Sequence, residues 1–558
     1  MSEKLSEVTI HLPSGKKVSE KFSQDTHIFG IAEKYQKHYS HRILGAVCDY
    51  EIKELQNKIG DSKSVSFLTI ADKDGKRFFI RSVFFVLIKA ARDMFSHAEL
   101  HIEYSLGNGY YCYFNGLEWI NADEVAELEQ RMRKIVKNDM PFIHRRYPTK
   151  KALEIFKKSG MPEKAKLLEM RNSEKTSVYS LGNTIDYFYG YLAPSTGYLE
   201  DFRLEYYKKG IVLLIPDMKY PGRIPAFKES PKFFSIIEEH NKWLEILELN
   251  NCGNLNEAIE KGRGDEIVLI SEALHEKKLG MIADQIYRRK KMIRVVSIAG
   301  PSASGKTTTA KRLAIQLKVN GFKPYLISID NYFCDRDKTP VDESGMKNFE
   351  TLEAIDTKLF NEHISRLLDG EEIFLQKYDF NSGKSLQSQN RLRLPEDGIL
   401  IIEGIHGLNP ELFREINISS VYKIYVSALT QLNLDMHNRI PTTDCRILRR
   451  IVRDVQFRNH SPEETIARWD SVRQGEEQNI FPFQENADIM FNSSLVYEFS
   501  LLKHYAQPIL KGIKKESPQY LEAKRLWKFL RFFKEMDDSS VPGNSIMKEF
   551  IGGSIFKY

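Results

Sequence analysis

Cysteine is scarce: Cys48, Cys112, Cys252, Cys334 and Cys445 are the five in 558 residues. They are odd in number, scattered, and form no Cys-x-x-Cys pair. That argues against a disulfide framework or a thiolate zinc ribbon and fits free thiols in a reducing cytosol. A cytoplasmic location is therefore expected. Long apolar runs are missing too. The longest, Val83-Phe-Phe-Val-Leu-Ile88, is far short of the ~20 residues that span a bilayer. The opening Met-Ser-Glu-Lys-Leu-Ser-Glu has no signal-peptide core, and no membrane partner is expected. Charge of one sign is also lacking. The 82 basic and 76 acidic residues leave +6, which neither demands nucleic acid nor excludes it. No repeat or low-complexity tract occurs. At 558 residues the chain exceeds one core, with ~100–200 residues expected per domain.

What is present begins at Gly300-Pro-Ser-Ala-Ser-Gly-Lys-Thr307, the Gly-x-x-x-x-Gly-Lys-[Ser/Thr] phosphate loop. An apolar run, Ile293–Ala299, precedes it and a helix-like stretch, Thr308–Leu317, follows. That strand–loop–helix context is the one the motif requires. Gly300, Ser302, Ala303, Ser304, Gly305, Lys306, Thr307 and Thr308 are expected to bind ATP. Backbone N–H groups of 302–307 would cradle the phosphates at a positive helix end. Lys306 would reach the terminal phosphates and the Thr307 hydroxyl would ligate Mg²⁺.

From 292 to about 500, strand and helix patterns alternate, predicting a parallel-sheet α/β domain. Ligands of such sheets lie at the carboxyl ends of the strands. Tyr325–Ile329 delivers Asp330-Asn-Tyr332 there, one strand from the phosphate loop. Asp330 can take a proton from an attacking hydroxyl or help hold Mg²⁺. A further strand, Gly398–Ile402, ends in Glu403, an acidic position suited to Mg²⁺. Arg446, Arg449, Arg450, Arg453 and Arg458 follow. At helical spacing 446, 449/450 and 453 share a face. Guanidiniums so placed repel unless an anion lies between them, and ATP phosphates in a closing lid would supply it.

Together these residues resemble the uridine kinase and phosphoribulokinase family over about 292–497. The carrying stretches are Gly300–Thr308, Asp330–Tyr332, Asn348-Phe-Glu350, Tyr378-Asp-Phe380, Glu403-Gly404, Arg446–Asp454 and Ala487-Asp-Ile489. The resemblance implies an ATP- and Mg²⁺-dependent nucleoside kinase with Asp330 as base for the ribose 5′-hydroxyl. It places Tyr378 on the nucleobase, Glu350 on the ribose, and Arg450 and Arg453 on phosphate and substrate. The catalytic set is then Asp330, Lys306 and Arg450. Arg453 and Arg458 join the ATP site, Tyr332 and Arg446 join the substrate site, and Thr307 with Glu403 holds the metal. There are departures. Uridine kinases carry Asp at Glu350, a base-reading His at Gly383, Arg at His460 and Gln at Arg468, so uridine specificity does not follow.

The N-terminal half carries other resemblances. Val8–Leu12, Lys17–Phe22, a helix-like Ile28–Tyr39, Ile43–Cys48 and Ser64–Ile70 resemble the TGS module, a β-grasp fold. Arg81–Phe95, Ala98–Phe114 and Gly190–Gly197 resemble the second, editing domain of threonyl-tRNA synthetase. Four site residues of that domain fall on Arg81, Phe85, Phe188 and Leu192, so neither editing nor a metal is expected. His97-Ala-Glu-Leu-His101 imitates a helical zinc pair. However, 98–104 alternates as a strand, where residues four apart lie ~13 Å apart.

The expected fold class is multidomain α/β and α+β. It comprises a TGS-like β-grasp module at 1–70 and a synthetase-like α+β domain at 71–230. A helical connector spans 231–290, a P-loop kinase domain 291–500 and a helical tail 501–558. Two alternatives stay open: a P-loop kinase acting on another alcohol, such as a sugar phosphate or pantothenate, and a regulatory nucleotide- or RNA-binding protein. Base preference, effectors and oligomeric state, a homo-oligomer included, are not read from the sequence.

Overall fold

A computed structural model describes residues 5–557 except 172, 218, 219, 342–344, 346 and 431; Met1–Lys4, part of the polar opening, and Tyr558 lie outside the described residues. The alternating N-terminal segments form a five-stranded mixed sheet. Its order is Lys17–Ser23, Leu5–His11, Ser64–Thr69, Ile43–Cys48, Glu51–Lys53. The first hairpin is antiparallel and Leu5–His11 runs parallel to Ser64–Thr69. Val8, Ile10, Val65 and Phe67 put one face against the helix Ile28–Tyr35, the period-2 pattern closing on a period-3.6 one.

The apolar run at 83–88 lies inside the 22-residue helix Lys73–Met94. No helix of the described residues is long and apolar enough to cross a membrane. The helix packs on the antiparallel sheet Arg203–Tyr207, Gly210–Leu214, Gly109–Asn115, Glu99–Leu106. The alternation at 98–104 thus yields a strand. His101 on it stacks on Tyr113 at 4.9 Å, and burial pushes it down to about 4. Phe85, Phe188 and Leu192 are core residues, Phe85 lying 5.2 Å from Phe188. A three-stranded sheet, Ile143–Pro148, Lys175–Leu181 and Thr184–Asp186, adjoins them.

Helices Pro231–Leu247, Cys252–Glu260 and Gly264–Arg288 lead to a parallel five-stranded sheet. Its order is Lys323–Ser328, Gly398–Glu403, Val295–Ala299, Val421–Ser427, Ile489–Asn492. The strand feeding the phosphate loop is central and wholly buried, as near-continuous apolar runs require in a sheet covered on both faces. The strand ending in Glu403 lies beside it, and the strand leading to Asp330 lies one further out. Helix Lys306–Val319 and the long helix Gly264–Arg288 pack together on this sheet. A separate hairpin, Glu372–Asp379 with Lys384–Arg393, carries Tyr378. Helices Glu498–Lys511 and Tyr520–Leu530 bury their apolar faces in the main core. The last segment, loop-like in sequence, holds a short helix, Lys548–Ile551, whose Phe550 and neighbouring Ile546 are fully buried.

Candidate active site

The phosphate loop leaves the central strand with Gly300 pressed against the next strand. A Cβ there would stand 1.8 Å from the Val426 carbonyl oxygen, which no side chain survives. Ala303 (φ 58°) and Gly305 (φ 80°) are left-handed, the alternation that turns successive N–H groups inward to an anion. Helix Lys306–Val319 begins directly after them. The Ser304 hydroxyl is buried and unpartnered among the described residues, an orphan polar atom in a cradle shaped for phosphate oxygens. Lys306 folds back, its Nζ donating to the Pro301 carbonyl at 3.2 Å. The loop therefore fits a nucleotide triphosphate.

Asp330 lies in the 3-10 turn Ile329–Tyr332, beyond its strand. Burial raises its carboxyl above the usual range, against the pull of Lys306 and Arg458. Glu403 ends the intervening strand. Burial, then the Asp330 charge, pushes it up to about 7. Two buried carboxylates, one raised by the charge of the other, beside Lys306 and the Thr307 hydroxyl of the loop, form a donor set that a divalent cation would relieve. Glu350 is also pushed up to about 7, by burial and then by Glu476.

Two of the expected substrate contacts need correction. Tyr332 is 1 % exposed and its hydroxyl meets His363 Nδ1 at 3.2 Å, with the ring against Phe360. It is core, and it holds the turn that carries Asp330, because its ring follows the apolar side of that turn. Arg446, 1 % exposed, turns inward on helix Thr442–Phe457 and pairs with Glu476, one nitrogen reaching Glu476 Oε2 at 2.7 Å. Its other amino group donates to the Ser302 carbonyl at 3.1 Å. Arg449 is likewise buried, on Glu498, with Nε 2.9 Å from the carboxylate. Guanidiniums this deep need a fixed countercharge, so glutamates, not phosphates, separate them. Arg450 does reach the loop, Nη1 lying 3.0 Å from Ser302 Oγ. Arg453 sits beside Asp454 and Phe550, and burial holds its guanidinium down to about 10. Arg458 is more exposed, 3.7 Å from Asp454.

Tyr378 is buried in an aromatic wall with Phe333 at 5.5 Å and Phe380 at 5.0 Å. Its hydroxyl is buried without a partner among the described residues. Phe380 is exposed. A Cβ on Gly383 would strike the Arg336 side chain at 2.7 Å, and Arg336 donates to the Phe380 carbonyl. Arg336 thus fills the space that a larger residue at 383 would take.

Sequence reasoning missed two glutamates. Glu476 Oε1 accepts from the Ser302 backbone N–H at 3.0 Å as well as from Arg446. Glu549 accepts from Thr308 Oγ1 at 2.5 Å and lies 3.8 Å from Arg453, while Ile546 packs over Gly305. Both arrive from far along the chain, with no local pattern to mark them.

Residues 295–498 match the model of the Phosphoribulokinase / Uridine kinase family. A uridine kinase of Halobacterium salinarum is 30% identical over 197 residues, 35% of this chain and 78% of that protein. One from Anoxybacillus flavithermus is 32% identical over 203 residues, 36% of this chain and 86% of that protein. The N-terminal region is similar to a threonine–tRNA ligase of Francisella tularensis subsp. tularensis, 23% identical over 197 residues. That match covers 35% of this chain and 31% of the ligase, so the ligase's activity does not come with it.

Proposed function

The chain belongs to the phosphoribulokinase/uridine kinase family and is a phosphotransferase of the uridine kinase type; on that premise we propose that it transfers the γ-phosphoryl group of ATP to the 5′-hydroxyl of a ribonucleoside. The observation that carries the reading is the convergence of Asp330 and Glu403, from neighbouring strands, on the Lys306 end of the phosphate loop.

In this mechanism Asp330 orients the 5′-hydroxyl and takes its proton. The 5′ oxygen bonds to the γ-phosphorus as the bond to the β,γ-bridging oxygen breaks, and ADP leaves. Charge on the transferring group is met by Lys306 and Arg450, with Arg453 and Arg458 on the nucleotide side. Thr307 and Glu403 would hold Mg²⁺, which supplies neutralisation of the phosphate oxygens. The aromatic wall with Tyr378 receives the base, and Glu350 accepts from the ribose. Arg446 positions the loop through Ser302 and Glu476. The N-terminal modules are read as a TGS-like module at 1–70 and a synthetase-like domain at 71–230, ahead of the connector (231–290), kinase (291–500) and tail (501–558).

The test is ADP release from the purified protein with ATP, Mg²⁺ and each of uridine, cytidine, adenosine, guanosine and inosine, with Asp330→Asn as control. Turnover with a nucleoside, lost in the variant, is the expected result. Silence across the panel with ATP still bound would overturn the nucleoside and leave another alcohol.

A further inference from the structure

The helix Lys73–Met94 carries Arg77 and Arg81 one turn apart, so two like charges share a face. Arg77 is answered: its amino groups reach Asp74 at 2.7 Å and Glu522 at 2.9 and 3.1 Å. Arg81 is not. Its Nε and Nη1 are shielded from solvent and have no hydrogen-bond partner among the described residues. The guanidinium is held flat on the chain at Gly190, where a Cβ would stand 2.1 Å from Nη1. Burial and the Arg77 charge depress it to about 10. Asp74 acts on it only from beyond ion-pair distance, and guanidinium nitrogens taken from water without a hydrogen-bond partner are costly. A stable fold that keeps one has a use for it.

Arg81 also lines a cavity of about 2040 Å³. The cavity runs from the kinase, at Pro301 and Gly475, to the N-terminal modules, at Arg146 and Tyr191. Lysines and arginines on its wall outnumber carboxylates about two to one. At the N-terminal end burial, then Lys524, Arg531 and Arg146 together, lower the basicity of Lys528, with Glu51, which pairs with Lys524 at 2.9 Å, acting the other way, so cations crowd that end of the wall. A second buried guanidinium nitrogen on the wall, Arg171 Nε, is also unpartnered among the described residues, while the other two nitrogens of that group are bonded. Tyr187, Tyr189 and Tyr191 provide flat apolar surface between the cations. This combination selects an anion with several acceptor oxygens, the geometry a guanidinium fork matches.

We propose that the N-terminal end of this cavity, centred on Arg81, is a second binding site, distinct from the phosphate loop, for a phosphate-bearing small molecule. The site has a physical link to the kinase. Arg77 pairs with Glu522, Glu522 with Arg525, and Arg525 with Asp444 at 2.6 and 2.7 Å. Asp444 stands in the first turn of the helix that carries Arg446 and Arg450. An anion beside Arg81 and Arg77 competes with Glu522 for the same guanidinium, and so bears on the helix that touches Ser302.

The test uses tripolyphosphate as probe and full-length protein carrying Lys306→Ala, which weakens the phosphate loop. Calorimetric titration and melting temperature are compared with the Lys306→Ala/Arg81→Met double variant. The expected result is saturable binding and a probe-dependent rise in melting temperature in the single variant, with affinity at least about tenfold weaker once Arg81 is lost, the usual consequence of removing a charge-assisted contact. Without probe, the double variant should melt no lower, since an unpaired charge has gone. Arg81→Lys, which keeps the charge and the fold, should bind with intermediate affinity. Equal affinity with and without Arg81, or no binding in the single variant, would overturn the site. Binding of a single-stranded RNA that neither tripolyphosphate nor Arg81→Met disturbs would overturn it in favour of RNA.

Discussion

The hydroxyl of Thr308, in the first turn after the phosphate loop, donates to the carboxylate of Glu549 at 2.5 Å, across 241 residues of sequence. The same carboxylate lies 3.8 Å from Arg453 and adds a little to the upward push on Glu403. A negative group so close to a triphosphate site opposes the nucleotide. At a separation of several ångströms and the effective dielectric of a protein surface, one charge is worth ~1–2 kcal/mol. Glu549→Gln keeps the hydrogen bond and removes the charge. The KM for ATP should fall roughly five- to thirtyfold with kcat nearly unchanged, as steady-state kinetics at saturating nucleoside will show.

Lys306→Ala should cost on the order of 10²–10³ in turnover, the usual loss for one charge-stabilising group. Asp330→Asn should lower turnover far more than ATP affinity, because its role lies in the transition state. Fluorescence titration with a labelled ATP analogue, beside the rate, separates the two. Near-normal turnover in either variant would contradict the assigned role.

Turnover should depend on pH. Glu403 and Glu350 are each pushed up to about 7, and Asp330 is raised with them. As pH falls through 7 Glu403 and Glu350 take up protons and the metal and ribose contacts weaken, so the rate should drop on the acid side. Higher Mg²⁺ should move that limb lower, since the cation favours the ionised pair.

Stability carries the opposite sign. Glu350 has a folded value above its unfolded one, so its contribution is present at low pH and is lost as pH rises through 7. Glu350→Gln should therefore raise the melting temperature at pH 8, by up to about 3 kcal/mol of stability, and leave it unchanged at pH 4. Calorimetric melts at the two pH values decide.

Arg336 stands where a side chain at Gly383 would reach the base wall. Guanidinium groups only donate hydrogen bonds, so they favour bases that present acceptor edges. Arg336→Ala should alter the ratio of kcat/KM between nucleosides by about tenfold, with the KM for ATP constant. Paired competition assays measure the ratio directly.

Much of the kinase half could be read from local spacing. Gly300 to Thr307 is contiguous, and Asp330 and Glu403 each follow an apolar strand, so their place at the sheet's carboxyl edge follows from pattern alone. The arginine helix was legible as a helix, but its faces were not. Arg446 and Arg449 look alike in sequence to Arg450, and only the arrival of Glu476 and Glu498 makes them structural. Glu549 could not be found either, being one of 76 acidic residues in a stretch with no strand or helix period. Tyr332 was misplaced because a three-residue match says nothing about which way a 3-10 turn points its ring.

The ion pairs from Arg77 through Glu522 and Arg525 to Asp444 also bear on how such a chain can be recombined. A kinase half joined to an N-terminal half without a cation at position 77 would leave Glu522 with Arg525 as its remaining guanidinium partner. A graft keeps the seam paired where both of its sides are exchanged together, so the unit to transplant is the pair of surfaces and not either half.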